Sequence, residues 1–336
     1  MLFFLILFIL NIILIIFFDK FSRFVNLFDV PDGLRKLHKQ PIASIGGVII
    51  FINLLFYFIY TQYRYFNFNI DNSYFTNFDF IIFFITASIF FFIGYFDDKF
   101  NLNPNLKLFL FSLIIFILLS LSDNLAFNYL KFSFLKIPIN IEFIYIPFMI
   151  LCVTLYLCAF NMFDGINLQS SLYSLCIFFI FILQGIFIEI SLIIILSLLS
   201  FCYLNHKNKC FLGDNGSLLI AFIVSYLFIK SQSFTHFFAD EIFLAMQLPG
   251  LDLLRLAMQR MYNKKHPFHP DRNHIHHILL KRVGYLKTIL IISATIMVPN
   301  FFSVLFGQTL YCIILTFFIY FFLILKFNNF NKKIYK

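Results

Sequence analysis

Eleven apolar stretches, each near the length that crosses a hydrocarbon core of about 30 Å, follow one another along this chain. They cover residues 2–18, 43–61, 79–96, 106–122, 143–160, 168–186, 187–204, 216–230, 239–257, 288–306 and 308–326. A soluble core cannot absorb so many such runs. In a bilayer each run must satisfy its own backbone polar groups, and a helix does that within one segment. The expected fold is therefore all-α, a polytopic transmembrane bundle of about eleven spans. With 61% hydrophobic and only 12% charged residues, no polar linker separates a second domain, so residues 1–336 read as one membrane domain. Two neighbouring runs meet at Gln184-Gly185, where a tight turn must separate two helices. The run 239–257 carries Asp240, Glu241 and Asp252, which leaves a break there open. The first run lacks a basic start and a small-residue cleavage site, so it reads as a retained helix and not a signal peptide.

The net charge of +9 has a definite placement. Of the 25 Lys and Arg, only Arg64, Lys131, Lys136 and Lys230 fall on one side of the bundle, and all others fall on the opposite side. That asymmetry sets the second side in the cytoplasm, with the N-terminus outside and the C-terminus inside. It accounts for the charge without nucleic acid as a partner. The cytoplasmic loops are then 19–42, 97–107, 161–167, 205–217 and 258–287. On the outer side, residues 123–142 hold short alternating stretches that suit a small hairpin without evident chemistry. The six Cys show no metal-type spacing and read as small apolar residues.

Acids are scarce in a chain this apolar, so their positions carry information. "GYFDDKFNL" places Asp97 and Asp98 at the cytoplasmic end of the third span, "NMFDGIN" places Asn161 and Asp164 at the end of the fifth, and "FLGDNGSLL" places Asp214 just after the seventh. Taken singly, each is a solvated cap or a good turn signal. Taken together, carboxylates on one membrane face repel one another unless a cation lies between them. Oxygen donors suit Mg2+, with Mn2+ as the alternative ion, and the absence of Cys and His at ligand spacing in these loops argues against zinc. The last large loop, "HPFHPDRNHIHHILLKR", concentrates His266, His269, His274, His276 and His277 among Lys264, Lys265, Arg272, Lys281 and Arg282. A histidine cluster suggests a metal first, but these basic neighbours favour a polyanion such as phosphate. Arg35, Lys36, His38 and Lys39 lie in a further basic segment, which positive-inside anchoring explains equally well. The Gly46-Gly47 pair that follows suits close helix packing.

The ordered set "PDGLRKLHKQPIASIGG", "GYFDDKFNLNPNLKL", "NMFDGINL", "FLGDNGSLL" and "DRNHIHHILL" resembles the polyprenyl-phosphate N-acetylhexosamine-1-phosphate transferases, glycosyltransferase family 4. The likeness runs from about residue 20 to 285. "HIHH" is similar to the branch that uses UDP-N-acetylglucosamine, whereas the UDP-MurNAc-pentapeptide branch carries consecutive histidines. The resemblance implies transfer of a sugar-1-phosphate, GlcNAc-1-phosphate above all, from a UDP-sugar to undecaprenyl or another polyprenyl phosphate. UMP is released, and synthesis of a cell-envelope polysaccharide such as O-antigen or teichoic acid begins at the bacterial inner membrane. It implies catalytic roles for Asp97, Asp98 and Asp164, and Mg2+ held by Asp214 with Asp98. Substrate contacts are implied for Asn161, Asn167, Lys36, His38, Arg272, His274, His276 and His277. Where the family pattern has a second Asp followed by Gly-Leu-Ala, this chain has Asn167-Leu168-Gln169; Asn keeps donor and acceptor capacity for a nucleobase.

Three alternatives stand beside this reading. One is the UDP-MurNAc-pentapeptide phosphotransferase, and another is a catalytically silent scaffold. The third is a secondary transporter, which would place acids near the midplane in broken helices of repeated halves. Asp240, Glu241 and Asp252 keep that third alternative open. A homodimer is an open alternative to a monomer.

Overall fold

The computed structural model describes residues 2–31, 40–68, 74–233, 236–267 and 271–328. Lys36 and His38, two of the expected substrate contacts, lie outside these residues. Each of the eleven apolar runs contains a helix. In chain order these are α1 (Leu2–Ile16), α3 (Gly46–Phe68), α4 (Asn77–Phe100), α5 (Pro104–Leu121), α6 (Tyr145–Phe163), α7 (Gln169–Leu183), α8 (Ile188–His206), α9 (Gly213–Ser233), α10 (Ala239–Tyr262), α12 (Tyr285–Phe306) and α13 (Thr309–Asn328). Two shorter helices join them, α2 (Phe18–Val25) and α11 (Ile275–Val283). The expected hairpin forms as β3 (Tyr129–Leu130) paired antiparallel with β4 (Ile139–Asn140). A second two-stranded pair, β1 (Phe28–Asp29) with β2 (Ile42–Ala43), was not foreseen.

Among the described residues, eight helices are long and apolar enough to cross a membrane, or nine if α1 and α2 count as one span bent by 81°. The fold is thus that of a polytopic helical membrane protein, with α7 and α10 the two of the eleven expected spans that differ from the rest in length or charge. α7 has 15 residues, about 22 Å of rise, which is short of a hydrocarbon core. α10 has the length but carries Asp240, Glu241, Asp252, Arg255 and Arg260. The turn expected at Gln184-Gly185 is present: Gly185 takes φ +72°, and Ile186 N–H donates to the Phe181 carbonyl at 3.0 Å.

The chain divides into two compact units, residues 1–125 with 177–227 and residues 126–176 with 228–336. In the first unit α3 packs on α1, α4 and α8. Asn11 of α1 and Asn53 of α3, both buried, exchange amide hydrogen bonds at 2.7 and 3.3 Å. Each also donates to the carbonyl four residues earlier, so neither amide is left unpaired in an apolar interior. In the second unit α10 packs on α6, α12 and α13. Pro249 lies inside α10 and lacks the N–H that would bond the Ala245 carbonyl. Tyr173 of α7 fills that vacancy, its hydroxyl donating to Ala245 O at 2.9 Å and lying 2.9 Å from the Tyr156 hydroxyl. Large apolar side chains such as Tyr311, Phe318 and Phe322 of α13 face outward, as a lipid-embedded surface requires.

Candidate functional site

The "DDKFNLNPNLK" segment folds as a helix end, a three-residue link and a helix start. α4 ends where Asn101 enters the left-handed region and donates its N–H to Asp97 O. Asn103 then caps α5, accepting from Asn105 N–H, with Pro104 in the first turn where its missing N–H costs nothing. This reversal returns Lys107 to Asp97, ten residues back. Lys107 Nζ donates to Asp97 Oδ2 at 2.5 Å, and Leu102 N–H donates to Asp97 Oδ1 at 2.8 Å.

Asp98 faces the start of α9 and acts as its cap from a distant part of the chain. Its Oδ1 accepts from Asp214 N–H at 3.0 Å, and its Oδ2 accepts from Asn215 N–H at 3.0 Å and Asn215 Nδ2 at 2.5 Å. An anion at a helix N-terminus is favoured by the unpaired amides and the dipole together. Asn215 Nδ2 also donates to Ser44 O at 2.8 Å. Residues 43–47 run beside residues 211–212, with Phe211 N–H on Ala43 O and Gly46 and Gly47 N–H on Phe211 O and Leu212 O. Glycine is required at this approach: a Cβ on Gly47 would run into Asn215 Oδ1 and the Gly216 backbone, and one on Gly94 into the Asp214 carbonyl.

Asp97, Asp98 and Asp214 are therefore brought together within the first unit. Asp97 is buried, whereas the Asp214 side chain keeps 32% exposure. The Lys107 ammonium that holds Asp97 also lies 3.7 Å from Asp214 Oδ2, so both carboxyl groups face one cation. Among the described residues no three His, Cys, Asp or Glu side chains stand in a finished metal-ligand arrangement. The donor chemistry still fits a hard cation: the acids offer oxygens only, and a cation, the Lys107 ammonium, already lies against two of them.

In the second unit α6 ends at Asp164, whose N–H bonds the Phe160 carbonyl. The Ser170 hydroxyl donates to Asp164 Oδ1. Asn161 lies on the last turn of α6. The Asn167 carbonyl accepts from the Tyr285 hydroxyl at 3.1 Å. The "DGIN" loop meets the histidine loop directly, because a Cβ on Gly165 would collide with the His276 ring. Gln169 Nε2 lies 3.4 Å from His276 Nδ1. His274 is the residue before α11, and His276 and His277 lie in its first turn. His276 is 1% exposed and His274 8%, while His277 is half-buried. The rings of His274 and His276 stack, with centroids 5.4 Å apart. Arg272 precedes them in the loop, whose fold is held by Arg260: Nε on Asp271 Oδ2 at 2.8 Å and Nη1 on the Pro267 carbonyl at 2.5 Å.

Burial is the first cause that lowers His277 from 6.5 to about 4, reinforced by His274, Arg272 and Lys281 nearby. Burial also holds His276 well below its ordinary value. Both are neutral at neutral pH, so neither adds to the positive charge that Arg and Lys bring to this loop. Below pH 6.5 the unfolded chain binds protons that the folded chain refuses, so stability falls as pH drops from about 6.5 towards 4. Melting in detergent is expected to show this loss between pH 7 and pH 4.5, and His277→Gln is expected to shrink it. An unchanged acid loss in His277→Gln would show that this ring is not held neutral.

Several working residues escaped the sequence reading. Lys107 counted there only as a loop charge. Ser44, Asn215 and Gln169 gave no signal, because their partners lie far away in sequence. Asp252 stands out in sequence as an acid in an apolar run, where it keeps the transporter alternative open. In the structure its carboxylate is occupied by Arg255, His274, Tyr320 and the Ile275 amide, an arrangement unlike an open ion-coupling acid.

Residues 80–232 match the profile of glycosyl transferase family 4. The chain is 27% identical over 269 residues to a probable undecaprenyl-phosphate N-acetylglucosaminyl 1-phosphate transferase of Bacillus subtilis, covering 76% of this chain and 70% of the relative. It is 27% identical over 278 residues to the undecaprenyl-phosphate alpha-N-acetylglucosaminyl 1-phosphate transferase of Thermotoga maritima, covering 81% and 79%. The protein of the same description from Escherichia coli K12 is 25% identical over 296 residues, covering 83% and 75%. All three relatives carry the description of an undecaprenyl-phosphate N-acetylglucosaminyl 1-phosphate transferase.

Proposed function

We propose that this chain, as a member of the branch its motifs and relatives indicate, transfers GlcNAc-1-phosphate from UDP-GlcNAc to undecaprenyl phosphate and releases UMP. The reaction initiates a bacterial cell-envelope polysaccharide. The observation that carries the proposal is the carboxylate–ammonium cluster of Asp97, Asp98, Asp214 and Lys107 at the joined ends of three apolar helices, α4, α5 and α9. The Lys and Arg asymmetry supports a cytoplasmic position for that face and a place in the inner membrane.

In the reaction an oxygen of the lipid phosphate bonds to the β-phosphorus of the donor. The bond from that phosphorus to the bridging oxygen breaks, and UMP departs with the electron pair. A phosphate monoester has its second pKa near 6, so the attacking oxygen is already largely deprotonated at neutral pH. The Asp97–Asp98 pair then need not act as a base. Asp97 holds Lys107, and Asp98 holds the first turn of α9, which together set Asp214 in place. Mg2+ would be held by Asp214 with help from its neighbouring carboxylates, and when bound it neutralises pyrophosphate charge. Asp164, Asn161 and Asn167 contact the nucleotide in this reading, and the histidine loop contacts the sugar or its phosphate through neutral donors and Arg272.

Purified protein with undecaprenyl phosphate should release UMP, and not UDP, from UDP-GlcNAc in preference to other UDP-N-acetylhexosamines. Release of UDP would replace phosphosugar transfer by glycosyl transfer. Chelation with EDTA is expected to abolish release, and added Mg2+ or Mn2+ to restore it. Full activity in metal-free EDTA would overturn the metal assignment.

A further inference from the structure

Asp252 belongs to no motif of the site described so far, yet it organises the histidine loop. It lies on α10 and is 2% exposed. Its Oδ2 lies 2.8 Å from His274 Nδ1. Its Oδ1 accepts from Arg255 Nη2 at 2.8 Å, from the Tyr320 hydroxyl at 2.9 Å and from Ile275 N–H at 3.2 Å. Arg255 Nε in turn donates to the Tyr320 oxygen at 2.7 Å, and Arg255 Nη2 to the Asn273 carbonyl at 2.7 Å. A carboxylate receiving this many donors is an acceptor only, so the His274 nitrogen facing it carries the proton. Nε2 is then the ring nitrogen left for a substrate.

We propose that Asp252 is a positioning residue for the transfer reaction: its hydrogen bond fixes the tautomer and ring plane of His274, while Arg255 and Tyr320 fix Asp252. The inference rests on the transferase reading above. Three features separate it from a purely structural anchor. The acid bonds both a side chain and a backbone amide at the start of α11, so it sets ring orientation and helix start together. His274 stacks on His276, whose ring lies against Gly165 beside Asp164. A second buried acid of α10, Asp240, is spent differently: it accepts from Ser133 N–H and Oγ, tying the β3–β4 hairpin to the helix.

The test uses the full-length protein in detergent with UDP-GlcNAc and undecaprenyl phosphate. Asp252→Asn keeps the shape but removes the charge that fixes the tautomer. It should lower kcat roughly 100-fold, the scale of a lost preorganised donor, with the donor KM within about three-fold. His274→Gln should fall as far, and the double variant no further, because both act through one hydrogen bond. Asp240→Asn controls for loss of a buried acid and should leave kcat within about three-fold. Selective 15N-histidine labelling of the unmutated protein supplies an arm that needs no folded Asp252 variant. It should show a strongly hydrogen-bonded Nδ1–H that disappears in His274→Gln. Near-normal kcat in Asp252→Asn, additive losses in the double variant, or absence of that Nδ1–H signal would each overturn the proposal. Inactive unmutated protein would instead overturn the transferase reading, while the labelling arm still reports on the Asp252–His274 bond.

Discussion

Replacing Asp214 by Asn is expected to lower turnover by roughly 100-fold, the scale on which losses of key electrostatic groups act. The substitution preserves shape and leaves the backbone N–H of residue 214 able to donate to Asp98 Oδ1. What it removes is the partly exposed charge beside Asp97 and Lys107. Folding should survive, because the side chain is partly exposed and its 3.7 Å contact with Lys107 is the longer of the two that this ammonium makes. A circular dichroism melt close to that of the unmutated protein, together with the loss of turnover, is the expected pair of results. Near-normal turnover would refute Asp214 as metal ligand and make Asp164 the first candidate.

Gly47→Ala is expected to damage both activity and stability, for a different reason. The added methyl would occupy the space of Asn215 Oδ1 and of the Gly216 backbone, and a backbone cannot step aside as a flexible side chain can. α3 must therefore move off the start of α9, at about 1–3 kcal/mol or more for overpacking. The displaced residues are those that hold Asp98, so activity should fall at least about 10-fold along with the melting temperature. Gly250→Ala on α10, where a Cβ meets nothing within 4 Å, is the control and should leave both near normal. Equal behaviour of the two variants would show that the close approach of α3 and α9 does not matter.

Local chemistry made much of this molecule legible from sequence. Apolar runs announce helices because a bilayer leaves the backbone no other partner. The helix end at Asn101 and the helix start at Asn103 and Pro104 rest on local properties too, a left-handed cap, a side-chain acceptor and a missing N–H, although hydropathy alone sets the boundaries at 96 and 106. Acids at those ends drew attention because charge is costly in such a chain. The remainder depends on contacts over long stretches of sequence. Nothing in "FLGDNG" says that Asp98, 116 residues earlier, caps the helix. Nothing in "HIHH" says that one histidine is buried against Gly165 while another is held by Asp252. Hydropathy alone also does not separate α7, which is short, and α10, which is heavily charged, from the eight helices of the described residues that are long and apolar enough to cross. Periodicity and composition cannot report which charges a neighbouring helix will neutralise.

The central claim is that a phosphosugar, and not a bare sugar, moves to the lipid. UDP-GlcNAc carrying 32P at the β-phosphorus and 14C in the sugar distinguishes the two directly when incubated with purified protein, undecaprenyl phosphate and Mg2+. Both labels should enter the lipid extract in the ratio of the donor and be lost from it together in Asp214→Asn. Carbon label in the lipid without phosphorus label, or neither label with folded protein and both substrates present, would contradict the account.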